Sequence, residues 1–190
     1  MLRPHVHERK ILVATWVSSR PVQHNANRLG RSGCTNAQAA QRGVNFLTQD
    51  VVHFVDTGGC IACHRQGAAL YGLSRSKAGG FTVDTSATTG IGAVANQLVA
   101  FQSGGSWGGV SNDSYGILGL AGYDAYVTTA YANNLVDAVD FALTIRNPDN
   151  VWTEDGFILP VNWGDIPATA RIMIGLKQAK LRVDGAKAAA

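Results

Sequence analysis

The sequence predicts an all-α fold built from three consecutive helical hairpins. Three observations carry that expectation. Apolar residues recur at helical spacing in six segments, clusters of Gly, Ser, Thr and Pro punctuate them, and a Gly-Leu pair returns in every second segment, at Gly72-Leu73, Gly119-Leu120 and Gly175-Leu176. Outer helices are expected near 37–56, 90–102 and 129–146, inner helices near 61–77, 113–121 and 166–183, and strands should be nearly absent.

Residues 1–34 mix Arg, Asn, Ser, Gly and Pro without sustained periodicity and read as a basic, mobile leader. A helical-repeat domain is expected over 35–184. Thr35 is placed to cap the first helix, whose stripe is Ala40, Val44, Leu47, Val51 and Phe54, and Thr57-Gly58-Gly59 ends it. The second helix opens at Cys60–His64, runs to about Lys77 and stops at Gly79-Gly80. Ile91, Val94, Leu98 and Phe101 form the stripe of the third, closed by the glycine-rich stretch around Trp107. Asn112 or Asp113 is placed to cap the fourth, Ser114 to about Ala121. The fifth starts at Thr129, carries Tyr131, Leu135, Val139 and Ala142 on one face, and ends before Pro148. After a long loop, 151–164, Asp165 caps the sixth helix with Pro167 in its first turn, and 185–190 is a frayed tail.

Chemistry concentrates at Cys60-Ile61-Ala62-Cys63-His64. On a helix, residues 60, 63 and 64 stand at i, i+3 and i+4, so two sulfurs and an imidazole share a face on which a flat macrocycle can dock. C-x-x-C-H is the attachment signature of haem c: the two thiols become thioethers and the adjacent imidazole is the proximal iron ligand. The same residues also fit a redox dithiol, or half of a zinc site completed by Cys34 and a histidine such as His53. For a sixth iron ligand, Met173 on the last inner helix is the first candidate, with His53 and the leader histidines His5, His7 and His24 as alternatives; Met173 also fits as plain core filling among Ile172, Ile174 and Leu176.

The net charge of +3 conceals an uneven distribution: residues 1–31 carry six Lys/Arg and one acid, and 32–190 carry ten and twelve. The body therefore lacks the clustered cations with interleaved aromatics that nucleic acid requires. No apolar run approaches the roughly 20 residues of a membrane-spanning helix. The leader imitates the basic and apolar regions of a secretory signal, but its apolar run, Ile11 to Val17, is short. Covalent haem attachment in bacteria takes place outside the cytoplasm, so the haem reading implies a periplasmic or extracellular protein.

The three hairpins form a repeat. Cys60 lies 12 residues before Gly72, Trp107 lies 12 before Gly119, and Trp152 holds the corresponding place before Gly175 with the long loop inserted, so cysteine stands where the other hairpins carry a loop tryptophan. Recurrent glycine inside helices, at a cost of about 1 kcal/mol each against alanine, points to close helix approach. Arg42-Gly43-Val44-Asn45-Phe46-Leu47 and Gln102-Ser103-Gly104-Gly105-Ser106-Trp107 match the opening and close of the glutamine-to-tryptophan repeat motif. Over about residues 36–183 the chain thus resembles the α/α-toroid proteins, the squalene-hopene and oxidosqualene cyclases and protein prenyltransferase β-subunits; three hairpins would make a partial toroid. The alternative fold is a small helical domain like that of cytochrome c. The resemblance does not extend to cyclase chemistry, because Asp84, Asp124, Asp137 and Asp140 do not lie in a D-x-D-D motif, and no prenyltransferase zinc set is visible.

Electron transfer through haem c, with a redox protein or quinone as partner, is the leading functional expectation. An enzyme or gas binder using an open haem position, or holding an isoprenoid on the inner face, is the second. The third is a helical-repeat interaction module that binds zinc or no metal. Exposed ends of an incomplete repeat array favour self-association.

Overall fold

In a computed structural model, the residues described are 35–57, 64–153 and 165–189. They form six helices and no strand, the one isolated bridge joining Ser103 and Ser106. The first helix, α1 (Asn36–Thr57), starts at a capping box: Thr35 Oγ1 accepts the Gln38 N–H at 3.2 Å, and Gln38 Oε1 accepts the Thr35 N–H at 2.9 Å. Then follow α2 (His64–Ala78), α3 (Ile91–Phe101), α4 (Val110–Tyr126), α5 (Ala132–Thr144) and α6 (Asp165–Ala189).

The even-numbered helices form one layer and the odd-numbered ones cover it. In the inner layer α4 packs between α2 and α6, while α1 lies on α2, α3 on α2 and α4, and α5 on α4 and α6. The inner helices run in one direction. His64 meets Tyr115 and Tyr115 meets Arg171 near their starts, and Arg75 meets Tyr126 and Tyr126 meets Gln178 towards their ends. With neighbours on both flanks, α4 is buried over most of its length, including Asp113, Ser114 and Asp124. Leu70, Leu73, Ile91, Leu98, Ile117, Leu120, Leu135 and Ile172 are among the fully buried side chains of the core between the layers, which also takes the rings of Trp107 and Trp152.

Close approach inside the inner layer comes from glycine, partly at other positions than expected. A Cβ on Gly67 would run into the Tyr115 carbonyl, and one on Gly119 would stand 3.0 Å from the Gly67 backbone. Gly175 likewise faces Ile117. Gly72, however, has nothing within 4 Å of its Cβ position, so the contact glycine of α2 is Gly67. The Gly-Leu repeat marks equivalent places in sequence, but among the described residues no helix lies beside Gly72.

The tryptophans do equivalent work. Trp107 Nε1 donates to the Leu98 carbonyl at 2.7 Å and Trp152 Nε1 to the Ala142 carbonyl at 2.6 Å. Both carbonyls belong to the last turn of an outer helix, where backbone acceptors have no intrahelical donor. Each indole therefore closes the C-terminus of α3 or α5 while its ring fills the core. In the first hairpin the orphan carbonyl of Val55 is met instead by Gln97 Nε2 at 3.1 Å, and Gln97 Oε1 accepts from the fully buried Gln66 at 3.1 Å. A side chain from the second hairpin thus does the capping that a first-hairpin tryptophan would do.

Four boundaries and part of one face differ from the sequence expectation. One of these boundaries is the end of α6, which runs to Ala189 through the stretch expected as a frayed tail. The start of α4 is Val110, not a residue after an Asn112 or Asp113 cap: Gly109 stands before it at φ 140°. The Asp113 carboxylate turns back to accept the Trp107 N–H at 2.6 Å and the Ser106 hydroxyl at 2.9 Å, fixing the tryptophan loop. At its other end α4 continues to Tyr126, past Ala121. The start of α5 is Ala132, with Tyr131 as the residue before it rather than within the helix. On α1 the buried residues are Thr48, Val51 and Val52, while Leu47 and, from α3, Phe101 are exposed. Of the expected stripe, Val51 is buried and Val44 packs against the core, while Leu47 is exposed.

Candidate cofactor site

His64 is the first residue of α2, half-buried, with Cys60 and Cys63 outside the described residues. Its ring meets Tyr115 edge-on at 6.3 Å and 63°. Its Nδ1 is buried and has no hydrogen-bond partner among the described residues. An unpaired buried imidazole nitrogen is uncommon and calls for a reason.

His64 also lines a groove of about 320 Å³ between α1 and α2. Leu47 and Val51 form one wall and Ala68 and Ala69 the other. The small α2 residues leave the space that the larger α1 residues border. Arg65 and Asp50 also line it, with Arg65 Nη2 2.9 Å from Asp50 Oδ2 and 3.1 Å from Oδ1, and the guanidinium lies 4.4 Å from the Phe54 ring centroid. The pair is well exposed, so it contributes little to stability, about 0–1 kcal/mol. It places an ion pair beside an otherwise apolar groove.

Behind His64, Tyr115 is held by Arg171, whose guanidinium sits 4.5 Å over the ring. Arg171 Nε donates to Ser114 Oγ at 2.9 Å. One aromatic ring and one guanidinium thus connect α2, α4 and α6 at the end where the C-x-x-C-H stretch enters α2. Neither Tyr115 nor Arg171 was anticipated from sequence. For Arg171 a signal existed, a lone cation in the otherwise apolar run from Ile166 to Leu176. For Tyr115 none did, since only the close approach at Gly67 brings it to the histidine.

The structure does not bring the expected sixth ligands to this groove. Met173 is 58% exposed, which also removes its reading as core filling. It lies some 160° around α6 from Arg171, at about 100° per residue, and α4 separates α6 from α2. His53 is exposed and does not line the groove. His5, His7, His24 and Cys34 lie outside the described residues. Among the described residues no three His, Cys, Asp or Glu side chains cluster to hold a metal ion, and no helix is long and apolar enough to cross a membrane. No protein-family model, curated protein or solved structure matches the chain.

Proposed function

We propose that the chain is a haem c protein in which Cys60 and Cys63 tether the macrocycle and His64 is the proximal ligand. The observation that carries the reading is the coincidence of the C-x-x-C-H sequence with a half-buried histidine that lines an apolar groove and whose Nδ1 has no partner among the described residues. The residues fit the group. Addition of each thiol S–H across a vinyl double bond leaves a thioether and needs no external oxidant, and His64 offers a ring nitrogen to iron. Leu47, Val51, Ala68 and Ala69 supply apolar contact for the ring, with the Arg65–Asp50 ion pair at its edge.

The haem would supply one-electron chemistry, and the chain would hold it, shield one face and orient it. Electron transfer with a redox protein or quinone, outside the cytoplasm, is the function this supports. Repeated inner–outer hairpins with tryptophan-closed outer helices support a partial α/α-toroid as the scaffold. The position of Met173 favours a second reading, a haem whose sixth position takes an exchangeable ligand, as in small-gas binding or peroxidase chemistry.

Expression with cytochrome c maturation machinery should yield protein whose reduced spectrum is that of a thioether-linked haem and changes on addition of carbon monoxide. His64→Ala should perturb that spectrum while leaving the covalent link. A haem-free product with zinc at stoichiometric amount would replace this reading with the zinc module, and a spectrum insensitive to carbon monoxide would leave electron transfer alone.

A further inference from the structure

We infer that Tyr115 and Arg171 are positioning residues for His64: the Arg171 guanidinium clamps the Tyr115 ring, and that ring sets the plane in which the imidazole is presented to iron. The inference rests on the haem reading for its purpose and on the packing of α2, α4 and α6 for its geometry. It starts from the backbone. Gly67 follows His64 by three residues, so the two share a face of α2. That face is pressed against α4, where a Cβ on Gly67 would run into the Tyr115 carbonyl. The approach brings the His64 ring edge-on to the Tyr115 ring, at 6.3 Å and 63°. A ligating histidine is ordinarily oriented by a hydrogen bond to its second ring nitrogen. Among the described residues no partner meets His64 Nδ1, and the contact described on its ring is the aromatic one.

A ring can orient its neighbour only if it is itself held. Tyr115 is held twice, its main chain against Gly67 and its side chain under the Arg171 guanidinium, 4.5 Å from the ring centroid. Arg171 is oriented in turn by two serines of α4: Nε donates to Ser114 Oγ at 2.9 Å, and Nη2 lies 3.4 Å from Ser111 Oγ. One turn further along α6, Gly175 lets the two helices close at Ile117, which brings Arg171 within reach of the ring. Among the described residues neither Tyr115 nor Arg171 lines the groove beside His64, so the pair acts on the histidine from behind and leaves the space in front of it to the macrocycle.

The test reads the histidine directly. In the haem-free full chain, the His64 ring signals are recorded at one pH by heteronuclear NMR with nitrogen-labelled histidine and assigned by their loss in His64→Ala. Arg171→Met and Tyr115→Leu should shift and broaden them, whereas Tyr115→Phe, which keeps a ring beneath the guanidinium, should leave them close to wild type. Ser114 Oγ also donates to the Ser111 carbonyl at 2.7 Å and so keeps a partner when Arg171 is replaced. Should Arg171→Met nevertheless fail to fold, the Tyr115→Leu and Tyr115→Phe pair decides. In the haem-loaded chain Arg171→Met and Tyr115→Leu should change the electron paramagnetic resonance of the oxidised haem, which follows the orientation of the axial imidazole, while covalent attachment persists. Unmoved His64 signals in folded Arg171→Met, or Tyr115→Phe indistinguishable from Tyr115→Leu, would overturn the inference. So would a lowered urea midpoint with no change at His64, the outcome of a purely structural role. Haem loading with unmoved signals would reject the inference and leave the haem reading standing; moved signals in a chain that takes up no haem would reject the haem reading and keep the clamp.

Discussion

Gly67 and Gly72 lie five residues apart in α2, yet alanine at the two should change stability in opposite directions. In both places alanine relieves the backbone cost of glycine in a helix, about 0.5–1 kcal/mol. At Gly72 nothing lies within 4 Å of the added methyl, so that gain is the whole effect. At Gly67 the methyl would meet the Tyr115 carbonyl carbon at 2.6 Å and Cβ at 2.9 Å. These are backbone-anchored atoms, and α4 cannot retreat because Gly175 holds it against α6 at Ile117. Overpacking of this kind costs about 1–3 kcal/mol, so Gly67→Ala should be net destabilising by about 1–2 kcal/mol. Taking about 2–4 °C per kcal/mol for a chain of this size, thermal melting should fall by about 2–8 °C for Gly67→Ala and rise by about 1–4 °C for Gly72→Ala. Urea unfolding followed by circular dichroism reads both. Stabilisation by Gly67→Ala, or changes of the same sign at the two sites, would refute the glycine-mediated packing of α2 on α4.

Trp107→Phe and Trp152→Phe keep most of the buried ring but remove the donor to Leu98 or Ala142, leaving a helix-end carbonyl unmet; each should cost about 1–3 kcal/mol in urea unfolding, and similar costs would support their equivalence. Burial, with a smaller contribution from Tyr131, raises the Tyr123 phenol above its ordinary value of 10.0. The neutral form is the one the fold favours, so the associated stability is complete below pH 10.0 and is lost as pH rises towards the folded value; Tyr123→Phe should flatten that alkaline decline relative to wild type, and an identical decline in both would reject the assignment.

Most helices are legible in the sequence because their apolar spacing is set by contact with one neighbouring layer. The errors fall where a side chain serves something other than its own helix. Asp113 has the composition of an N-cap, but its carboxylate is taken by the Trp107 amide and the Ser106 hydroxyl, and the helix begins earlier, behind Gly109. Leu47 shares the period of a core stripe with the buried Val51, yet it is exposed, because among the described residues no helix covers that side of α1. Periodicity gives the face of a helix without saying whether a partner exists for it. Met173 illustrates the same limit from the other end of the layer, since its neighbours Ile172 and Leu176 do turn inward and it does not. At the candidate site, His64 was legible from its two cysteines, whereas Tyr115 and Arg171 come to it only through the packing of α2, α4 and α6.

The central claim is that residues 60–64 hold a covalent haem, and intact-mass spectrometry of denatured protein after expression with cytochrome c maturation machinery tests it most directly. The expected result is one added haem mass that survives denaturation, with the modification mapped to the peptide containing Cys60 and Cys63 and abolished in the Cys60→Ala, Cys63→Ala double variant. Folded, helical protein carrying no added mass, or normal haem loading in the double variant, would contradict it.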